Sequence, residues 1–173
     1  KNLTYGQLAD AFAQGVALQP FFGNINTDNA DLSGAKAAGV KILQYHGSAD
    51  VLIPTQNSVN YYTRVANLDG GFAKTQAYDR LFLIPGMGHC SGVGTAPGTA
   101  GPAVTTSNFA QPAGGQLFGV LKAWVEGGAA SAPASVTVTS PDATNSQLLC
   151  PYPQKATYNG TGAVNAAASY TCK

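Results

Sequence analysis

Two short apolar runs, Val40-Lys41-Ile42-Leu43-Gln44-Tyr45-His46 and Leu81-Phe82-Leu83-Ile84, stand out from a chain rich in glycine and small polar residues. Each is too short for a globular helix and ends on a breaker, Gly47 in the first case and Pro85-Gly86 in the second, so each reads as a buried strand. Between them, Val59, Tyr62, Val65 and Ala66 recur at three- and four-residue intervals after Pro54 and Thr55. That spacing predicts a helix, stopped by Asp69-Gly70-Gly71. Parallel strands need a crossover of this kind, and the near-continuous apolar content predicts strands covered on both faces. The pattern is that of an α/β unit.

The flanks are less regular. Leu8, Phe12, Val16 and Leu18 predict a helix that Thr4 caps. Pro20-Phe21-Phe22-Gly23 reads as a loop whose two aromatics plug the edge of a core. Asn29-Ala30-Asp31-Leu32-Ser33 offers caps for a short helix ending near Gly39. From Ser91 to Gly115 the chain has no period, a long excursion expected to lie over a site. Leu117, Leu121 and Trp124, with Phe118 and Val125 beside them, then predict a packing helix ended by Gly127-Gly128. Ser135 to Thr139 alternates like an edge strand.

Composition narrows the function classes. The 173 residues suit one domain, with 45% hydrophobic and only 10% charged residues and a net charge of +1. A chain so weakly charged offers no basic field for phosphates, which sets nucleic acid aside as a partner. No apolar segment approaches the roughly 20 residues that span a bilayer, so no membrane role is expected. The amino terminus lacks the layout of a secretory signal, so a signal was removed or this is an internal piece.

Three cysteines, Cys90, Cys150 and Cys172, leave one thiol unpaired in a disulfide setting. Cys150 and Cys172 bracket a tail with no core pattern of its own, the kind of segment a bridge closes, and Cys90 is then the orphan. A zinc site is the competing account, but one His next to one Cys with no Cys-x-x-Cys pair makes a poor ligand set.

The chemistry gathers at the two strand ends. Asp50 follows the first strand and His89 the second, at the carboxyl edge of the sheet, where ligands of open α/β folds bind. A buried carboxylate that accepts the imidazole's hydrogen bond sets its tautomer and frees the other nitrogen as a base, which is two thirds of a hydrolytic triad. His46 is the rival imidazole, and Asp69 and Asp79 are rival acids placed in a helix-ending Gly cluster and at a strand's entry.

His46-Gly47-Ser48-Ala49-Asp50, Pro54, Tyr61-Tyr62 and Pro85-Gly86-Met87-Gly88-His89-Cys90 together resemble the carboxyl-terminal third of the tannase and feruloyl esterase family of serine hydrolases. Asp31-Leu32-Ser33, Trp124-Val125-Glu126-Gly127-Gly128 and Leu149-Cys150-Pro151-Tyr152-Pro153 agree with it. The resemblance implies the carboxyl-terminal part of an α/β-hydrolase fold, incomplete without an upstream segment. Residues 1–30 would end a preceding lid or helical region, 31–140 would belong to the carboxyl-terminal part of the hydrolase domain, and 141–173 would be its disulfide-closed tail. It further implies Asp50 as triad acid, His89 as base, and Cys90 bridged to a Cys beside the nucleophile on that upstream segment, which becomes the partner. No cofactor is expected on this segment, and a structural calcium is implied in the lid outside it.

The nucleophile should precede the acid in such an enzyme, yet no Gly-x-Ser-x-Gly and no Cys-Ser pair occurs before Asp50. The leading expectation is a secreted or periplasmic ester hydrolase acting on a small aromatic ester, feruloyl or galloyl in type, with its Ser on the upstream segment. A terephthalate monoester hydrolase of the same family is the alternative within the class. An inert α/β module binding an aromatic or sugar ligand is the alternative outside it.

Overall fold

A computed structural model describes residues 2–23, 25–89, 92 and 107–173. Helix α1 (Tyr5–Ala17) starts at a reciprocal cap: the Gln7 N–H donates to Thr4 Oγ1 at 3.2 Å and the Thr4 N–H to Gln7 Oε1 at 2.9 Å. None of its residues is buried. Phe21 and Phe22, expected at the edge of a core, sit on a single 3₁₀ turn and are 82% and 64% exposed. The reason is positional, since they continue from a helix that lies outside the packed region of the described chain.

Asp31 and Asn29 each accept a backbone N–H two residues ahead and lead into α2 (Ser33–Ala37). Strand β1 (Ile42–Gly47) follows, then α3 (Thr55–Asp69), ended by Gly70 at φ 84°, the short α4 (Phe72–Thr75) and β2 (Asp79–Ile84). β1 and β2 pair in parallel with Ile42 opposite Asp79 and Gly47 opposite Ile84. The strand, crossover helix and strand expected from the apolar periodicity are therefore present.

The two strands are not equally covered. β2 buries Asp79, Leu81, Phe82 and Ile84, whereas β1 is half-buried with Tyr45 46% exposed, so the expectation of two fully covered strands fails for β1. Its cause is the strand order: β2 lies between β1 and the tail, where Phe82 bridges Pro151 and the Tyr152 N–H donates to Leu81 O at 2.7 Å. Among the described residues β1 is left as an edge.

Helix α5 (Gln116–Gly127) buries Trp124 completely, with Lys41 Nζ and Arg80 Cζ within 5.4 and 5.3 Å of its ring. Strands β3 (Val136–Thr139) and β4 (Ser146–Leu149) form an antiparallel pair. Val136 and Val138 turn inward onto Phe82, Ile84, Met87, Phe109 and Leu149, while Thr137 and Thr139 face out, as a period of two requires. Cys150 and Cys172 are disulfide-bonded, which ties the end of β4 to the hairpin of β5 (Ala156–Tyr158) and β6 (Tyr170–Cys172). Closing a loop of 22 residues is worth about 3 kcal/mol in the chain-entropy account. Among the described residues no helix is long and apolar enough to cross a membrane.

Asp79 sits under the sheet with no exposure, and its carboxylate accepts from the Gln44 amide nitrogen at 2.9 and 2.8 Å. Burial outweighs these bonds and, with the Asp69 charge adding to it, pushes the carboxyl up to about 6. Between the unfolded value near 4 and about 6, the folded state binds a proton that the unfolded state has released. Asp79 therefore makes stability fall as pH rises through that window and contributes no further slope above it. We expect the stability difference between the parent and Asp79→Asn to change by on the order of 3 kcal/mol between pH 4 and pH 7, read from urea unfolding at each pH.

Candidate active site

The sheet ends where its chemistry begins. Past Gly47 and Ile84 the two loops stay stitched: the Ser48 N–H donates to Ile84 O and the Ala49 N–H to Met87 O, both at 2.9 Å. Gly86 turns the second loop at φ 77°. Gly47 permits the close approach, since a Cβ there would overlap the carbonyl oxygens of Met87 and Gly88. Thr55 Oγ1 donates to Gly47 O at 2.8 Å and anchors the start of α3 beneath the same turn.

This stitching brings Asp50 and His89 together from 39 residues apart, with His89 Nδ1 2.8 Å from Asp50 Oδ2. The other oxygen, Oδ1, accepts the N–H groups of Leu52 at 2.8 Å and Ile53 at 3.0 Å. The Asp50 side chain is 3% exposed while that of His89 is 45% exposed. Burial alone would raise the carboxyl, but the hydrogen bonds from Ile53, His89 and Leu52 outweigh it and hold Asp50 well below the usual carboxylate range. An ionised Asp50 keeps the hydrogen on His89 Nδ1, which leaves Nε2 as the proton-accepting nitrogen.

His46, set against His89 as a rival, reaches the same carboxylate: its Nε2 lies 3.2 Å from Asp50 Oδ2. The four-residue spacing of His46 and Asp50 hinted at proximity, but the contact itself depends on the conformation of the turn that Leu52 and Ile53 hold. The rival acids lie elsewhere. Asp69 pairs with Lys36 at 2.8 Å and Thr75 at 3.0 Å at the end of α3, and Asp79 stands at the opposite end of the sheet. Cys90 falls outside the described residues, as does most of the Ser91–Gly115 excursion.

A cleft of about 310 Å³ opens onto the pair, lined by Tyr45, Gly47, Ile53 and Met87 together with His46, Asp50 and His89. A larger hollow of about 630 Å³ lies on the outer face of β3 and β4, among Thr, Asn and Ala side chains that carry no acid or base. Chemistry rather than size identifies the site. Among the described residues no group of three or more His, Cys, Asp or Glu could hold a metal ion.

An acid after one parallel strand and a histidine after the next, joined by a crossover helix, is an arrangement that fits the carboxyl-terminal part of an α/β-hydrolase fold. A family model described as tannase and feruloyl esterase matches residues 2–173, and the chain belongs to that family. It is 35% identical to a probable feruloyl esterase of Arthroderma benhamiae, covering 99% of this chain and 29% of that protein. It is 34% identical to the mono(2-hydroxyethyl) terephthalate hydrolase of Piscinibacter sakaiensis, covering 83% of this chain and 21% of that protein. The structure superposes on feruloyl esterase B from Aspergillus oryzae with a TM-score of 0.74 at 27% identity, covering 99% of this chain and 33% of the other. A tannin acyl hydrolase from Aspergillus niger gives 0.73 at 27% identity, covering 99% and 29%. The chain thus spans a third or less of the proteins it matches.

Because Gly47 sits where the two loops touch, Gly47→Ala should push the His89 turn away from Asp50. We expect a loss of about 1–3 kcal/mol in unfolding experiments, as for overpacked cores. The same variant should weaken the Asp50–His89 hydrogen bond seen in imidazole nitrogen spectra, whereas Gly34→Ala, with open space around the position, should do neither.

Proposed function

We propose that this chain supplies the acid and base of a carboxylic ester hydrolase acting on aromatic-acid esters of feruloyl or galloyl type. The observation that carries the reading is the 2.8 Å bond between a buried, ionised Asp50 and a half-exposed His89. The nucleophile is a Ser on a segment this chain does not contain, a reading supported by the lack of any Gly-x-Ser-x-Gly or Cys-Ser pair ahead of Asp50. Cys90, next to the base, is proposed to bridge to a Cys beside that Ser and so to set their spacing. Residues 1–30 then end a lid, residues 31–140 belong to the hydrolase core and residues 141–173 form its tail. The family's calcium would lie in the lid, outside this chain. The Cys150–Cys172 bridge supports a secreted or periplasmic setting.

His89 Nε2 takes the hydroxyl proton as the Ser oxygen bonds to the ester carbon, and Asp50 stabilises the imidazolium that forms. The same nitrogen passes that proton to the departing alkoxide, leaving an acyl-enzyme and an alcohol. Water then enters, gives its proton to Nε2 and attacks the acyl carbon. Expulsion of the Ser oxygen, reprotonated by His89, releases the acid. Tyr45, Ile53 and Met87 give the cleft an apolar lining suited to an aromatic group.

A terephthalate monoester is the second reading, supported by the relative from Piscinibacter sakaiensis. The test is hydrolysis of methyl ferulate, methyl gallate and mono(2-hydroxyethyl) terephthalate by the protein expressed in full. Turnover of one of the first two should dominate, and Asp50→Asn should reduce it about 10⁴-fold by favouring the wrong tautomer. His89→Ala should reduce it by several orders of magnitude as well. Undiminished turnover by His89→Ala would overturn the assignment, and specific turnover of the terephthalate would select the second reading. Tight binding of the esters without turnover would return the chain to an inert binding module.

A further inference from the structure

We propose that His46, backed by Ser58, is a positioning residue for the Asp50–His89 pair, anchoring through Ile53 the turn that carries the acid; this rests on the ester-hydrolase reading. Asp50 divides its two oxygens between two kinds of donor. Oδ1 is held by the backbone of its own turn, through Leu52 and Ile53. Oδ2 accepts from His89 Nδ1 at 2.8 Å, and His46 Nε2 lies 3.2 Å from it without a hydrogen bond between them.

The tautomer of His46 follows from its neighbours. Nε2 lies 3.1 Å from the carbonyl oxygen of Ile53, which can only accept, so Nε2 carries the hydrogen and donates it to Ile53 O. Nδ1 lies 2.7 Å from Ser58 Oγ and, in the neutral ring, accepts the hydroxyl hydrogen. The chain of bonds therefore runs from Ser58 through His46 to Ile53 O, and from the Ile53 N–H to Asp50 Oδ1.

Rigid elements hold each member. His46 is the penultimate residue of β1, its side chain is 11% exposed, and Ser58 lies in the first turn of α3. Without His46, the Ile53 backbone that holds Asp50 Oδ1 would lose this tie to the sheet. His46 supplies a reference fixed to the sheet, so that Oδ2 stays in place when His89 gains and loses its proton. His46 touches no reacting atom in this scheme.

The test uses the protein expressed in full. With methyl ferulate or methyl gallate, His46→Ala should lower kcat by up to about 10²-fold with KM little changed, the cost of a displaced base. His46→Gln places an amide nitrogen near the position of Nε2 and should recover most of the loss, and Ser58→Ala should fall between. The second readout needs no activity: the far-downfield proton signal of His89 Nδ1–H, assigned by its disappearance in His89→Ala, should move upfield in His46→Ala and stay in His46→Gln.

Unchanged kcat and an unmoved signal in His46→Ala would overturn the proposal while leaving the ester-hydrolase reading intact. A moved signal in a protein that hydrolyses none of the esters would sustain the positional link and remove that reading. If His46→Ala does not fold, the parent decides: nitrogen spectra must show neutral His46 with its hydrogen on Nε2, and hydrogen on Nδ1 alone would overturn the proposal.

Discussion

Parallel pairing of β1 with β2 is the constraint on which the site depends. Register places Gly47 opposite Ile84, so both strands leave the sheet at the same level, and hydrogen bonds from Ser48 and Ala49 carry the pairing past the last residues of the strands. A parallel pair cannot be closed by a tight turn, and α3 is the crossover that makes it possible. Its buried Tyr62, Val65 and Ala66 face the sheet, and the Tyr62 hydroxyl donates to Asp79 O at 2.8 Å. A slip of the pairing would separate Asp50 from His89 before any side chain could compensate.

The two ends of this sheet treat the same residue type in opposite ways. Asp50 and Asp79 are both removed from water, but Asp50 gathers two backbone N–H groups and the His89 imidazole, whereas Asp79 has one amide nitrogen and the nearby charge of Asp69. Ionisation is favoured at the first and opposed at the second. Desolvation is common to both, so the number and kind of donors decides the sign. An acid held ionised beside an imidazole is suited to orienting a base. Asp79 is part of the packing beneath.

The matched proteins are at least three times as long, and α1 exposes Leu8, Phe12 and Val16 while β1 presents a half-covered face. The tail is better closed. β3, β4 and the Cys150–Cys172 bridge bury the far face of β2 against Val136, Val138 and Leu149.

Much of this was legible in the sequence because it is local. The length of an apolar run, a Pro or Gly at its end and the three- and four-residue spacing of Val59, Tyr62, Val65 and Ala66 specify the strand, crossover and strand. Strand ends distinguish Asp50 from Asp79 and a helix-ending Gly cluster sets Asp69 apart, while Cys150 and Cys172 could be paired because they bracket a segment without a core pattern. Other features depend on partners distant in sequence, and only the tertiary structure decided them. Apolar content could not reveal that β1 is an edge or that Phe21 and Phe22 are exposed, since burial depends on what packs against a residue. Nor could motif position show that His46 and His89 both come within 3.2 Å of one carboxylate oxygen, because that requires the distance between two loops brought together by the register of the sheet.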